Sequence, residues 1–339
     1  METERKCPRP ISNGMKIALL GVGESEKNAY LTALEGLDLV FLDEVITADN
    51  VSKIKDAEIV SLFVDSTVDK NALDSLPNLR FLATRSTGYD HIDVEYAKEK
   101  DIKVSNVPGY GAHTVAEFAF GLLLNLSRKI LYANKNILES NSLSSNPTMG
   151  GFELSGKTLG VIGTGRIGKT VIRIASGFGM KVLAYDPYPD TAFAKEMNFE
   201  YKSLNDVLSG ADIVTLHAPY TESNHHLINR ENIALMKRGV YFINTARGEL
   251  VDTEALVWGL KEGIIVGAGL DVLEEERIMK NSNKKDIITE LNKELIKMPN
   301  VIVTPHIAFF TKEAITEIDK VTIDNIKSFL AGAPINLVG

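Results

Sequence analysis

The chain has 339 residues, of which 44% are hydrophobic and 24% are charged, and its formal net charge at pH 7 is −8. This length predicts two domains, and the composition is typical of a soluble globular protein. The negative charge argues against non-specific binding to nucleic acid or to an anionic membrane surface. We therefore expect no nucleic-acid and no membrane partner, whereas a small anionic substrate needs only local positive charge.

The single cysteine, Cys7, excludes an internal disulfide framework and a cysteine-based metal site, and it is typical of a reducing compartment. The first 14 residues carry charges but no apolar segment, so they lack the pattern of a signal peptide and are expected to form a loosely ordered lead-in. The most apolar later stretch, 118–126, is too short to span a membrane. These features predict a cytoplasmic protein.

Short apolar runs alternate with helical patterns in the first third of the chain. The runs predict strands at 15–21, 38–42, 58–63, 80–83 and 102–104. Repeated alternation of strand and helix predicts a parallel sheet covered by helices.

A Pro- and Gly-rich break at 106–111 ends this series. It is followed by a long apolar pattern that predicts one helix over 113–134. The opening of that helix, Thr114 to Glu117, matches a capping box, which favours a structural role for Glu117.

A second series of strands begins near residue 157. Its members are predicted at 159–162, 182–185, 212–216, 240–244, 265–270 and 301–304. Six strands are the number in a doubly wound nucleotide-binding domain. The pattern predicts two Rossmann-like α/β domains with doubly wound parallel sheets, the nucleotide-binding domain (113–306) being inserted into a discontinuous substrate domain (1–112 plus 307–339).

Three glycines in a GxGxxG pattern follow the first strand of this second series. Gly163 permits a tight turn, Gly165 allows a pyrophosphate to approach the backbone, and Gly168 allows the helix to pack closely on the strand. The helix that opens at Arg166 and Ile167 then offers N–H groups and a partial positive charge to phosphates.

Asp186 follows Gly168 by 18 residues, at the end of the next strand. A carboxylate at this point accepts hydrogen bonds from the ribose of an adenosine and repels a 2′-phosphate. The pattern therefore predicts NAD rather than NADP as the cofactor, a preference that Arg166 weakens.

Hydride transfer to a carbonyl requires a proton donor, a cation that orients the substrate and a surface that holds the nicotinamide. Such groups are expected at the strand ends that follow the glycine-rich turn. These ends supply His217, Arg247, Asp271, Glu276 and His306. No group of His, Asp and Glu has the spacing of a metal motif such as HExxH, so no metal is predicted.

Seven motifs occur together, in an order that resembles the D-isomer-specific 2-hydroxyacid dehydrogenase family. They are RSTGYDHID (85–93), VPGYGAHTVAE (107–117), VIGTGRIG (161–168), HAPYTESNHHLIN (217–229), FINTARGELVDTEAL (242–256), GAGLDVLEEE (267–276) and VTPHIAFFTKEA (303–314). The resemblance extends from about residue 15 to 335. The aromatic pair Phe309 and Phe310 is similar to the D-lactate dehydrogenase-like branch of the family.

The resemblance implies that His306 is the acid/base that protonates the substrate carbonyl oxygen, and that Glu276 pairs with it and orients its ring. It implies that Arg247 makes a two-point contact with the substrate, which suits a planar guanidinium. Two readings stay open for Asp271, which either faces the nicotinamide carboxamide or supports the site. A solvated acidic run at 274–276 is the alternative for Glu276.

Substrate contacts are also implied by the resemblance. Thr87 and Gly88 lie in a loop that would present backbone N–H groups to the substrate carboxylate. Tyr110 and Phe309 would surround the substrate side chain, and an aromatic wall favours a methyl or larger aliphatic group. The alternative is that these aromatic residues only pack the protein interior.

The resemblance also implies a set of residues that bind the cofactor NAD. They are Gly163, Gly165, Arg166, Ile167, Gly168, Asp186, His217, Ala218, Pro219, Thr245, Ala246, Arg247 and Asp271.

The function expected from these features is the reversible NADH-dependent reduction of a small 2-keto acid, with pyruvate to D-lactate as the first choice. Alternatives within the family are a D-2-hydroxyisocaproate-type enzyme and a hydroxypyruvate or glyoxylate reductase. An alternative of another class is an NAD-sensing regulatory protein that resembles the C-terminal-binding-protein corepressors. The resemblance further implies a homodimer, joined through the nucleotide-binding domains and the helix near 113–134.

Overall fold

The computed structural model describes residues 14–46, 50–276 and 289–339. The lead-in predicted at the start of the chain, with Cys7, lies outside the described residues. Contacts divide the chain into two compact units: one runs up to Tyr110 and resumes at Lys312, and the other runs from Gly111 to Thr311. The predicted bounds differ from these by a few residues. None of the described helices has the length and apolar character needed to cross a membrane.

Both units alternate strands with helices. The strands are β1 (Lys16–Leu20), β2 (Asp38–Leu42), β3 (Ile59–Leu62), β4 (Phe81–Thr84), β5 (Lys103–Ser105), β6 (Thr158–Ile162), β7 (Lys181–Tyr185), β8 (Glu200–Tyr201), β9 (Ile213–Leu216), β10 (Val240–Asn244), β11 (Ile265–Leu270) and β12 (Val301–Val303).

The α-helices in the described part of the chain are α1 (Glu24–Ala33), α2 (Lys70–Asp74), α3 (Val94–Glu99), α4 (Ala112–Arg128), α5 (Ile130–Ser140), α6 (Arg166–Gly177), α7 (Thr191–Met197), α8 (Leu204–Gly210), α9 (Arg230–Ile233), α10 (Thr253–Lys261), α11 (Glu290–Lys297) and α12 (Lys312–Leu330).

The first unit is a five-stranded parallel sheet in the order β2–β1–β3–β4–β5. Successive residues of β1 face opposite sides of this sheet. Ile17 and Leu19 pack into a cluster with Phe329 of α12, whereas Ala18 and Leu20 belong to the cluster on the other face. Because both faces are buried, the strands read as continuous apolar runs.

The second unit is a seven-stranded parallel sheet in the order β12–β11–β10–β9–β6–β7–β8. Its strand order reverses between β9 and β6, so the loops that follow these two strands flank the topological switch point, where ligands bind in open α/β sheets. The two parallel sheets confirm the predicted fold class. β8 was not predicted, because two residues are too short to leave an apolar run.

The predicted helix over 113–134 is wrong in detail. Lys129 adopts φ of 57° in the left-handed region and separates α4 from α5. The predicted capping box at Thr114 and Glu117 is also wrong, because α4 begins at Ala112 with Gly111 as its N-cap and no side-chain cap. Glycine is accepted at the N-cap position. The last glycine of the break at 106–111 therefore serves as the N-cap, and the helix begins at the next residue.

Candidate active site

The turn after β6 holds the three glycines of the predicted nucleotide-binding motif. A Cβ at Gly163, whose φ is +90°, would lie 2.6 Å from the backbone nitrogen of Ala218, and a Cβ at Gly168 would lie 2.0 Å from the carbonyl oxygen of Gly163. At Gly165 a Cβ would meet no atom of the described residues within 4 Å. The first and third glycines are thus required by packing, while the second leaves open space before the N-terminus of α6, as a pyrophosphate requires.

Asp186 is fixed beside this turn at the end of β7. Its Oδ2 accepts hydrogen bonds from the N–H of Thr164 at 2.7 Å and from the Thr164 hydroxyl at 3.0 Å. Its Oδ1 accepts from the N–H of Tyr188 at 2.9 Å. The carboxylate therefore stands next to the glycine-rich turn, where its predicted contact with a ribose requires it. Thr164 lies inside the motif but is not among the predicted site residues.

His217 follows β9 at the switch point, and its side chain is buried. Nε2 lies 2.8 Å from Oγ1 of Thr215, whereas Nδ1 has no hydrogen-bond partner among the described residues. Burial lowers the pKa of His217 to about 3. The imidazole is therefore neutral at pH 7 and does not serve as the proton donor.

Thr245, which follows β10, likewise has a buried hydroxyl without a partner in the described part of the chain. Buried polar atoms in folded proteins are nearly always hydrogen-bonded, so two such atoms at neighbouring strand ends call for an explanation. A polar ligand at the carboxyl edge of the sheet supplies one. The open space at Gly165, the fixed carboxylate of Asp186 and these two atoms together fit a bound dinucleotide.

Asn244 holds the loop that carries Arg247. Its Nδ2 donates to the carbonyl oxygen of Arg247 at 2.8 Å, and its Oδ1 accepts from the N–H of Ala246 at 3.0 Å. A Cβ at Gly248 would lie 2.1 Å from the carbonyl carbon of Leu273, so the loops after β10 and β11 are in backbone contact. Asn244 and Gly248 are not among the predicted site residues, although both lie within the motif around Arg247.

His306 and Glu276 are 30 residues apart in sequence and adjacent in the structure. Nδ1 of His306 donates to Oε1 of Glu276 at 2.5 Å, and the two side chains are 13% and 14% exposed. Oε2 of Glu276 accepts from the N–H of Leu273 at 3.3 Å, which anchors the carboxylate to its own turn. This hydrogen bond occupies Nδ1 and leaves Nε2 available for a substrate.

Asp271 shapes the turn that presents His306. Its Oδ1 accepts from the hydroxyl of Thr304 at 2.6 Å and from the N–H of Ile307 at 2.9 Å, and its Oδ2 accepts from the N–H of Ala308 at 2.8 Å. Burial raises the pKa of Asp271, and these hydrogen bonds oppose that shift. These three hydrogen bonds join the turn after β12 to the end of β11, which is a supporting role for Asp271, while its contact with nicotinamide stays a prediction.

The aromatic pair after β12 stands beside the imidazole. The ring centroids of His306 and Phe309 are 6.4 Å apart, and those of Phe309 and Phe310 are 5.9 Å apart. Phe310 is 67% exposed, whereas Phe309 is partly buried. Phe309 therefore presents an apolar wall next to the predicted proton donor.

The predicted substrate loop after β4 belongs to the first unit. The Thr87 hydroxyl donates to the carbonyl oxygen of Val107 at 2.8 Å, and Nδ2 of Asn106 donates to the carbonyl oxygen of Thr87 at 2.8 Å. The loop is thus held at Thr87 by side-chain hydrogen bonds in both directions. The roles of Thr87, Gly88 and Tyr110 toward a substrate stay predictions.

One further polar group is brought together by the fold. His225, His226 and Glu274 place one potential ligand atom each within 4.8 Å of the others. The prediction of no metal considered only spacings along the sequence, and Glu274 is 48 residues from His226. The group was therefore missed.

Comparison with known proteins agrees with this geometry. Residues 120–308 match the family of D-isomer specific 2-hydroxyacid dehydrogenases, NAD binding domain. An aromatic 2-oxoacid reductase of Clostridium sporogenes is 45% identical over 275 residues, which cover 80% of this chain and 82% of the relative. The D-lactate dehydrogenase of Escherichia coli is 37% identical over 325 residues, which cover 94% of this chain and 98% of the relative.

The fold is also similar to that of a crystal structure of D-lactate dehydrogenase from Aquifex aeolicus complexed with NAD and lactic acid. The TM-score is 0.88 at 37% sequence identity, and the match covers 95% of this chain and 98% of that chain. A family match over more than half of the chain, together with relatives of this identity and coverage, establishes membership. The chain is therefore an NAD-dependent member of the D-isomer-specific 2-hydroxyacid dehydrogenase family.

Proposed function

We propose that this enzyme uses NADH to reduce pyruvate to D-lactate, in a reversible reaction. The observation that carries the proposal is the hydrogen bond between Nδ1 of His306 and Oε1 of Glu276, with the ring of Phe309 beside the imidazole. The similarity to a D-lactate dehydrogenase over 94% of the chain supports the choice of substrate.

Each residue of the site has a distinct role in the proposed reaction. Bound NADH supplies a hydride to the carbonyl carbon of the keto acid. Arg247 binds the substrate carboxylate and polarises the carbonyl through its planar guanidinium. His306 donates a proton from Nε2 to the carbonyl oxygen, while Glu276 holds the ring in place through Nδ1. Asp271 keeps the turn that presents His306 in place.

The cofactor is held at the carboxyl edge of the seven-stranded sheet. The N-terminus of α6 and the open space at Gly165 accept the pyrophosphate, and Asp186 accepts hydrogen bonds from the adenosine ribose. The unpartnered polar atoms of His217 and Thr245 complete the binding surface at the strand ends. Thr87 and Gly88 are assigned to the substrate carboxylate by the family resemblance.

A second candidate is reduction of an aromatic 2-oxo acid. It is favoured by the 45% identity to the aromatic 2-oxoacid reductase of Clostridium sporogenes and by the aromatic side chain of Phe309 next to His306. An aromatic wall accommodates either a methyl group or a second ring, so the wall does not decide between the two substrates.

The decisive experiment is a measurement of kcat/KM with pyruvate, 2-ketoisocaproate, phenylpyruvate, glyoxylate and hydroxypyruvate, each with NADH and with NADPH. A preference for pyruvate with NADH supports the proposal, and a preference for phenylpyruvate supports the second candidate. A clear preference for glyoxylate would contradict the proposal that Phe309 favours substrates with a methyl or larger side chain. Failure of every keto acid to oxidise NADH would favour the NAD-sensing regulatory function.

We further propose that the enzyme is a cytoplasmic homodimer. Apolar side chains are exposed along α5 and the segment after it, as expected for a surface that is covered in an assembly. They are Ile130, Leu131, Ile137, Leu138 and Leu143.

A further inference from the structure

A group of three potential metal ligands lies at the carboxyl edge of the second unit, apart from the His306–Glu276 pair. Nε2 of His226 lies 2.6 Å from Oε1 of Glu274, and the rings of His225 and His226 stack with centroids 3.8 Å apart. Nδ1 of His225 lies 3.4 Å from the hydroxyl of Tyr220. One donor atom from each of the three residues falls within 4.8 Å of the other two.

The donor set has the chemistry of a zinc site. Two imidazoles and one carboxylate are ligands that Zn²⁺ binds at about 2.0–2.2 Å, with water in the fourth position. A tetrahedral site of that size brings its donors to about 3.3 Å from one another. The donors of His226 and Glu274 lie 2.6 Å apart and would separate to that distance around an ion, and a donor atom of the exposed His225 lies within 4.8 Å of both.

Two of the three ligands are held in place by the backbone and by neighbouring side chains. His226 adopts φ of +51°, and its N–H donates to the carbonyl oxygen of Glu249 at 3.0 Å. Oε2 of Glu274 accepts from the hydroxyl of Thr253 at 2.6 Å, which directs the other carboxylate oxygen toward His226. A cation would replace the hydrogen bond between His226 and Glu274, releasing its proton, and would order the exposed imidazole of His225.

We propose that His225, His226 and Glu274 form a binding site for a divalent transition-metal ion such as Zn²⁺. The proposal is independent of the substrate, because each contact that carries it lies outside the residues assigned to catalysis.

The test uses the full chain after treatment with a chelator. Calorimetric titration with Zn²⁺ is expected to show one strong site, and Co²⁺ is expected to give the visible absorption of tetrahedral coordination. His225→Ala should weaken the binding of Zn²⁺ by at least ~10-fold and remove the cobalt absorption, since loss of a ligand costs no less than loss of a supporting residue. Because His225 is exposed, this variant keeps the fold.

His113→Ala is the matched control, since His113 is an exposed histidine on α4 outside the group. It should bind Zn²⁺ as the unmodified protein does, whereas Glu274→Gln should behave like His225→Ala. Equal affinity and an equal cobalt spectrum in His225→Ala and the unmodified protein would overturn the proposal. Neither readout depends on turnover, so failure of the proposed reaction would not affect the result.

Discussion

The backbone of His306 takes a left-handed conformation, with φ of +55°, which residues with a Cβ adopt uncommonly. The N–H of His306 donates to the carbonyl oxygen of Asp271 at 2.8 Å, and the carboxylate of Asp271 accepts from the next two N–H groups. Such a conformation persists only where its surroundings determine it, and it concentrates at functional sites. The turn itself therefore directs the imidazole, and Glu276 fixes the rotation of the ring.

Replacing His306 tests its assignment as the proton donor. We expect His306→Ala to lower kcat for keto-acid reduction by ~10²–10⁴-fold, because general acid catalysis by a positioned side chain contributes about that much. The affinity for NADH, measured by fluorescence titration, should stay close to that of the unmodified enzyme. A loss of activity smaller than about tenfold would contradict the assignment.

The buried imidazole of His217 makes stability depend on pH. Burial lowers the pKa of His217 to about 3, while the unfolded chain binds this proton near pH 6.5. Between these values the unfolded state holds more protons, so the free energy of unfolding falls as the pH drops below about 6.5, and this contribution is fully lost near pH 3. Above pH 6.5 it is fully present.

The corresponding prediction concerns His217→Gln. The wild-type chain should lose about 2 kcal/mol more unfolding free energy between pH 7 and pH 5 than this variant, which has no imidazole at position 217. Urea unfolding at the two pH values measures the difference. His113→Gln, which changes an exposed histidine, is expected to lose as much stability as the wild type. Parallel losses in wild type and His217→Gln would show that the ring is protonated in the folded protein.

In the turn between β6 and α6, one glycine is needed for packing and another for cofactor binding. A Cβ at Gly165 meets no neighbour in the described residues within 4 Å, whereas one at Gly163 lies 2.6 Å from backbone and requires a left-handed residue. We expect Gly165→Ala to keep the Tm and to weaken NADH binding at least ~10-fold, since the methyl group fills the approach of the pyrophosphate. Gly163→Ala should lower the Tm itself.

Thermal unfolding without cofactor and fluorescence titration with NADH distinguish the two effects. The glycine-rich turn would lose its proposed role if Gly165→Ala bound NADH as tightly as the unmodified enzyme. Gly163→Ala serves as the matched comparison, because it adds the same methyl group two residues away.

The strands and their ends were easier to predict from the sequence than the break between two helices. Parallel strands bring their carboxyl ends to one edge, so the polar residues after β9 to β12 could be placed together from the strand pattern alone. The break between α4 and α5 could not, because Lys129 is a good helix former, yet its backbone is left-handed in the structure. Asn244 was missed because its function is to bond backbone groups of its own loop.

Across the molecule as a whole, the spacing of residues along the sequence does not reveal which distant residues come into contact. The pairing of His306 with Glu276 was expected only because motifs in this chain resemble those of a known family. No such resemblance pointed to His226 and Glu274, which meet across 48 residues at 2.6 Å. Glu274 and Glu276 both lie in the turn after β11. The backbone of this turn at Leu273 lies so close to Gly248 that residue 248 has no room for a Cβ.

The exposed apolar surface of α5 supplies the prediction that concerns assembly. Leu138 is 76% exposed and lies on the same helix as Ile130 and Leu131, so a partner that covers this helix buries several large side chains at once. We expect light scattering to give the mass of two 37.2 kDa chains for the unmodified protein and of one chain for the double variant Leu131→Asp, Leu138→Glu.

Leu31→Glu is the control for this experiment. Leu31 is 50% exposed but lies on α1 in the first unit, so a charge there removes exposed apolar surface without touching α5. It should leave the dimer intact, because a single exposed leucine needs no partner to explain it. If the α5 double variant stays dimeric, or if the unmodified protein is a monomer at micromolar concentration, α5 does not form the interface. The apolar side chains of α5 would then face solvent in the working enzyme.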